Sequence, residues 1–121
     1  MLRKILICFL VLLGSTLTSA LAHAHPHLKA ATPAPGSIMR GSPPELRLTF
    51  SEAVLPRFSG VQVTDQRGRV IPTKPRLAPN RTQLIFAIPG RLPAGVYRVT
   101  WRTVSADTHR VTGRYTFRVR A

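Results

Sequence analysis

Apolar and polar side chains alternate with a period of two over most of this 121-residue chain, and this constrains its fold more than any other feature. In one stretch Leu46, Leu48 and Phe50 alternate with polar residues, as in a strand that buries only one face. Four further stretches alternate in the same way: 61–64, 84–88, 97–102 and 114–120. Proline, glycine and asparagine separate them, and no segment has a sustained helical stripe. About seven short strands at this spacing predict an all-β, antiparallel sandwich of immunoglobulin-like architecture.

The first 24 residues have the three parts of a secretory signal peptide. Arg3 and Lys4 precede an apolar run over residues 5–13, and Ala22-His23-Ala24 is a small-x-small cleavage box. The run is too short to cross a bilayer as a helix, which needs about 20 apolar residues. We therefore predict a signal peptide over 1–24 and an exported mature chain, 25–121, that does not span a membrane. Cleavage after Ala22 is the alternative, and it would expose His23 instead of His25.

The mature chain is predicted to be one small domain that folds without disulfides, because the one cysteine, Cys8, lies in the signal peptide. Loss of the leader leaves 16 basic residues against four acidic ones, a net charge of +12. Several arginines occupy outward strand positions: Arg98, Arg102, Arg114 and Arg118. They form either a solvated face or a surface for an acidic partner or an anionic membrane. We expect no nucleic-acid binding, because the chain is exported and no aromatic residues interleave with these arginines.

Cleavage before His25 would create a metal chelate, since this residue would carry both a free α-amine and an imidazole. Asp107 and His109, two residues apart, point the same way in an extended segment and would add a carboxylate and a second imidazole. Such a nitrogen-rich set suits Cu(II), which prefers tetragonal coordination by nitrogen and oxygen. Two alternatives remain: Asp107 caps a turn, and His109 is a solvated loop residue.

His27 is third in the predicted mature chain, the usual position of the histidine in terminal Cu(II) motifs that bind through backbone amides. Such a motif needs a deprotonated amide nitrogen at position two, which Pro26 does not have. His27 is therefore either an auxiliary ligand or, as we favour, a solvated residue.

Five stretches together resemble the CopC family of periplasmic copper-binding proteins. They cover nearly the whole mature chain in family order: 25–28 with 31–37, 46–54, 95–101, 105–109 and 113–117. The resemblance implies a cupredoxin-type Greek-key β-sandwich over 25–121 that holds one Cu(II) at one end through His25, Asp107 and His109. It further implies that Glu52 orients the terminal amine without binding copper directly.

The resemblance also implies a periplasmic carrier or buffer in copper homeostasis or resistance, which passes copper to an inner-membrane transporter of the CopD type. Some family members have a methionine-rich Cu(I) loop, but residues 78–91 contain neither methionine nor histidine, so no Cu(I) site is expected. We expect no enzymatic activity, because Asp107 would stabilise Cu(II) against the reduction that oxygen activation requires. The alternatives are an oxidative enzyme and a metal-free, basic β-sandwich that serves as an interaction module.

Overall fold

The computed structural model describes residues 26–121, so the predicted signal peptide and His25 lie outside the described residues. The described part contains nine strands and a single turn of 3-10 helix, Pro56–Phe58. The strands are β1 (Leu28–Thr32), β2 (Ile38–Arg40), β3 (Glu45–Phe50), β4 (Gly60–Thr64), β5 (Val70–Ile71), β6 (Lys74–Arg76), β7 (Gln83–Ala87), β8 (Gly95–Val104) and β9 (Arg110–Arg120). Within residues 26–121, no helix has the length and apolar character needed to cross a membrane.

The strands form two sheets, in the orders β1-β3-β7-β6 and β2-β9-β8-β4-β5. The predicted all-β sandwich is thereby confirmed. There are nine strands instead of about seven because β2, β5 and β6 are only two or three residues long, too short to show an alternating pattern. One edge departs from the expected antiparallel pairing, since β2 runs parallel to β9.

The core lies between the sheets and consists of the inward-facing residues that the alternation identified. In β3, Leu46, Leu48 and Phe50 are at most 1% exposed. The Phe50 ring meets the Trp101 ring of the opposite sheet edge to face, with centroids 5.2 Å apart. Because the chain alternates strictly along β9, its arginines are exposed while Phe117 and its inward neighbours are buried.

Two buried tyrosines of the same sheet differ in their hydrogen bonding. The Tyr97 hydroxyl donates to the Pro93 carbonyl oxygen at 2.6 Å. The Tyr115 hydroxyl is buried, and in the part of the chain that the structure describes it has no hydrogen-bond partner. Burial raises the pKa of Tyr115 well above its usual range. The two residues therefore form a natural matched pair for measuring the contribution of a hydroxyl group.

We expect Tyr115→Phe to leave the free energy of unfolding unchanged or to raise it, by up to about 1 kcal/mol, because it removes an unsatisfied buried hydroxyl. Tyr97→Phe should lower it by about 1 kcal/mol, because a hydrogen bond is lost and the Pro93 carbonyl loses its donor. Urea denaturation of the two variants measures both effects. A larger loss for Tyr115→Phe than for Tyr97→Phe would contradict this account.

Candidate metal centre

The β8–β9 hairpin carries the predicted Asp-x-His sequence at its tip. Ten registered residue pairs, from Gly95 with Val119 to Val104 with Arg110, connect the two strands. Residues 105–109 then reverse the chain. The Ser105 amide donates to the His109 carbonyl at 2.9 Å, and the Thr108 amide donates to the Ser105 carbonyl at 2.9 Å. Thr108 has a φ of 68°, the left-handed conformation that closes the turn. A tight loop on a long, regular hairpin gives Asp107 and His109 a defined position.

The loop joins Asp107 and His109 directly. His109 Nδ1 lies 2.8 Å from Asp107 Oδ2, and the Ser105 hydroxyl donates to Asp107 Oδ1. The backbone amide of His109 donates in turn to Ser105 Oγ at 3.2 Å. When the proton of the neutral imidazole is on Nδ1, this arrangement makes Nε2 the nitrogen with a lone pair for a metal ion. Asp107 thus sets the orientation of the His109 ring, as carboxylates beside metal-binding histidines commonly do.

Hydrogen bonds from Ser105 and His109 lower the pKa of Asp107 to about 2. Because this pKa lies below the ordinary value of about 4, the carboxylate stabilises the fold above about pH 4 and loses that contribution as the pH falls towards 2. We expect the Asp107 carboxyl carbon of the metal-free protein to titrate near pH 2 by NMR. In Ser105→Ala the midpoint should rise towards the ordinary value, because the Ser105 hydrogen bond, the main cause of the lowered pKa, is lost. An unchanged midpoint in that variant would mean that Ser105 does not hold the carboxylate.

The beginning of β1 lies at the same end of the sandwich as this loop. The amide of His27 donates to Ser51 Oγ at 3.0 Å, and the amide of Ser51 donates to the His27 carbonyl at 2.9 Å. Two residues further on, the Ala53 carbonyl accepts from the amide of Ala106 at 3.3 Å. The segment after β3 therefore runs between the start of the described chain and the hairpin tip.

The structure brings together two of the predicted site residues, Asp107 and His109. Glu52 lies in the segment that connects them to the start of β1, between Ser51 and Ala53 and partly exposed. His27 is exposed beside this segment. Within residues 26–121 no group of three or more histidine, cysteine, aspartate or glutamate side chains could hold a metal ion. The predicted four-donor set depends on His25, which precedes the described residues.

Sequence reasoning missed Ser105, although its hydroxyl contacts both halves of the pair. Ser105 is 3% exposed, and it also forms an isolated bridge with Val54 that ties the loop to the opposite segment. The sequence does contain a clue to the role of Ser105. It lies two residues before Asp107, where the alternation along the hairpin predicts an inward-facing side chain.

Residues 28–120 match the family model of the CopC domain. The chain belongs to the CopC family. Copper resistance protein C of Escherichia coli is 40% identical over 107 residues, which make up 82% of this chain and 84% of that protein. Copper resistance protein C of Pseudomonas syringae pv. tomato is 37% identical over 117 residues, with 86% and 87% covered. The resemblance noted in the sequence is thus confirmed.

Among solved structures, this CopC protein is similar to PcoC of Escherichia coli, described as a methionine-rich copper resistance protein. The TM-score is 0.72 at 36% sequence identity, with 80% of this chain and 100% of that chain covered. The present sequence has only two methionines, Met1 and Met39. The two proteins therefore share a fold, while this CopC protein contains few thioether groups.

Proposed function

We propose that this CopC protein is a periplasmic Cu(II) carrier or buffer in copper homeostasis or resistance, and that residues 1–24 direct its export. One Cu(II) per chain would bind to the amine and imidazole of His25, the carboxylate of Asp107 and the imidazole of His109. The observation that supports this most strongly is the hydrogen-bonded Asp107–His109 pair at the end of the sandwich where β1 begins. Relatives named as copper resistance proteins support the choice of metal.

A mature N-terminus at His25 would be attached to a well-anchored part of the chain. Pro26 is fully buried, and His27 makes two hydrogen bonds with Ser51: its amide donates to the Ser51 hydroxyl and its carbonyl accepts from the Ser51 amide. The terminal amine would therefore lie one residue from the buried Pro26, at the end of the sandwich that carries Asp107 and His109. Anchoring of this kind reduces the entropy lost when the amine and imidazole close a chelate ring on the metal. Glu52, in the neighbouring segment, would accept a hydrogen bond from the amine and orient it.

The donor chemistry of the loop fits Cu(II). In the metal-free loop His109 Nδ1 faces Asp107 Oδ2, so Nε2 points away from the carboxylate. For both residues to bind one Cu(II), the His109 ring would turn and this hydrogen bond would open, while Asp107 Oδ1 keeps the hydrogen bond from Ser105. Two neutral imidazoles, an amine and an anionic oxygen match the preference of Cu(II) for nitrogen and oxygen ligands.

The proposed role is non-catalytic, with the copper passing to an inner-membrane transporter of the CopD type. The hairpin tip suits such a transfer because Asp107 and His109 are about half exposed. A partner's ligands could therefore approach the metal without unfolding of the sandwich. We expect no methionine-based Cu(I) site.

A Cu(II) titration against a competing chelator tests this proposal, with protein exported and processed in cells and its N-terminus established by mass spectrometry. We expect tight one-to-one binding by the processed protein. The matched variant has one alanine inserted between Ala24 and His25. After cleavage behind Ala24 the inserted alanine is the N-terminal residue, and the nitrogen of His25 is a peptide amide instead of a free amine. Its affinity should fall at least about hundredfold, because the chelate ring is lost.

Equal affinity of the two proteins would overturn the assignment of the terminal amine. Weak binding by both would remove copper from the function of this chain. Thermal unfolding of the metal-free proteins is the control, since an insertion before Pro26 should leave the packing of residues 26–121 unchanged.

A further inference from the structure

Seven arginines of the five-stranded sheet are exposed and alternate with inward-facing residues, so they lie on its outer surface. We call this surface the arginine face, and it comprises Arg40, Arg98, Arg102, Arg110, Arg114, Arg118 and Arg120. They come from three adjacent strands, β2, β9 and β8. The tertiary structure thus combines charges from separate stretches of sequence into one continuous surface.

The strand register distributes these charges evenly. Across β8 and β9, Arg114 lies opposite Thr100, while Arg98 and Arg102 lie opposite threonines on either side. Diagonal neighbours in such a ladder are about 7–8 Å apart. Between residues 98–102 of β8 and 112–116 of β9, arginine and threonine therefore alternate along and across the strands, with hydroxyl groups between the guanidinium groups. Guanidinium groups spaced over one sheet face suit an extended array of anions better than a single small ligand.

The face contains an unfavourable pairing that an external anion would relieve. Arg40 of β2 lies directly opposite Arg120 of β9. Like charges in this position destabilise a sheet. The sequence has only four acidic residues, and none of them lies within a strand of this sheet: Glu45, Glu52, Asp65 and Asp107. In residues 26–121 their ion pairs are with Arg47, Arg69 and His109, all outside the face.

Exposed aliphatic residues flank the arginines at both edges of the sheet. Ile38 of β2 lies beside Arg118 and is 61% exposed. At the other edge, Val70 of β5 lies opposite Thr64, which is itself paired with Arg98, and Val70 is 58% exposed. The face thus combines a cationic centre with an apolar residue at each margin.

We propose that the arginine face docks on the surface of a lipid bilayer rich in anionic phospholipids. A guanidinium group can donate two parallel hydrogen bonds to two oxygens of one phosphate. Each basic residue near an anionic bilayer adds its own contribution to the binding free energy. The side chains of Ile38 and Val70, at the two edges of the face, would insert at the boundary between headgroups and acyl chains. An acidic protein fits less well, because the centres of protein interfaces usually combine arginine with exposed aromatic residues. Here arginines occupy the centre, and the aromatic residues of β8 and β9 face the core.

The test is flotation of the exported, processed protein with phosphatidylcholine vesicles, with and without phosphatidylglycerol. We expect binding only to the vesicles that contain phosphatidylglycerol, and weaker binding as the salt concentration rises. The double variant Arg98→Gln/Arg114→Gln should reduce the partition coefficient about tenfold or more. The matched control, Lys74→Gln/Arg76→Gln, removes the same charge from exposed positions of β6 in the other sheet. It should bind like the wild type.

Equal loss in both double variants would overturn the proposal, because net charge alone would then explain binding. Absence of wild-type binding to the anionic vesicles would also overturn it. If the wild type failed to bind these vesicles but bound immobilised polyglutamate, and Arg98→Gln/Arg114→Gln lost that binding, the partner would be an acidic protein. Equal binding to pure phosphatidylcholine would overturn the proposal as well, because anionic headgroups would then not be required. Thermal unfolding of each variant establishes that these exposed substitutions leave the fold intact.

Discussion

Gly113→Ala is expected to lower the free energy of unfolding by about 3 kcal/mol, because the new methyl group would overpack the core. Gly113 lies directly opposite Trp101 in the β8–β9 ladder. A Cβ atom at Gly113 would lie 2.3 Å from Cζ2 and 2.5 Å from Cε2 of the indole. Trp101 is only 6% exposed and packs against Phe50 of the other sheet, so its ring has little room to move away.

Gly90→Ala is the matched control for this substitution. A Cβ atom at Gly90 would have no heavy atom within 4 Å, and its backbone does not adopt the left-handed conformation that favours glycine. Its free energy of unfolding should change by no more than about 0.5 kcal/mol. Urea denaturation with tryptophan fluorescence measures both variants and reports on the environment of Trp101. If both glycines tolerate alanine equally, the close contact between Gly113 and the indole does not constrain the fold.

His109→Gln is expected to weaken Cu(II) binding at least about hundredfold, because it removes an imidazole ligand and the partner of Asp107. His27→Gln, the matched control, should change the affinity little, since His27 is exposed and Pro26 prevents the amide-based motif. A chelator-competition titration measures both affinities. The electron paramagnetic resonance spectrum should lose the hyperfine coupling of one nitrogen in His109→Gln and keep all couplings in His27→Gln.

Equal effects of the two substitutions would contradict the proposed ligand set. Because the side chain of His109 is 47% exposed, its replacement should barely alter the thermal stability of the metal-free protein. A loss of copper affinity without a loss of stability would therefore report on metal binding itself.

The alternating pattern predicted the long strands well. In β3 every second residue is buried, in β9 every second residue is buried or partly buried, and the predicted sandwich follows from this period. The pattern did not predict β2, β5 and β6, which contain two or three residues each. Short segments of this kind become strands only because a neighbouring strand offers hydrogen bonds, as β9 does for β2.

Half of the candidate site could also be predicted from local sequence. Asp107 and His109 are two residues apart in one tight loop, so their contact is local and does not depend on where the hairpin packs in the fold. The role of Ser105 could not be predicted, because it depends on a buried hydroxyl group that reaches both the Asp107 carboxylate and the His109 amide. Glu52 was assigned by resemblance, and the structure places it in the segment between β1 and the hairpin tip.

By itself, the sequence determined the sandwich class, the family and the Asp-x-His pair, because period, motif order and short spacing are local properties of the chain. Only the tertiary structure decided that the start of β1 and the hairpin tip share one end of the molecule. The same holds for the arginines of β2, β8 and β9, which share one face. These juxtapositions depend on which strands pair and in which register. Pairing is set by core packing and hydrogen bonds between residues far apart in the chain.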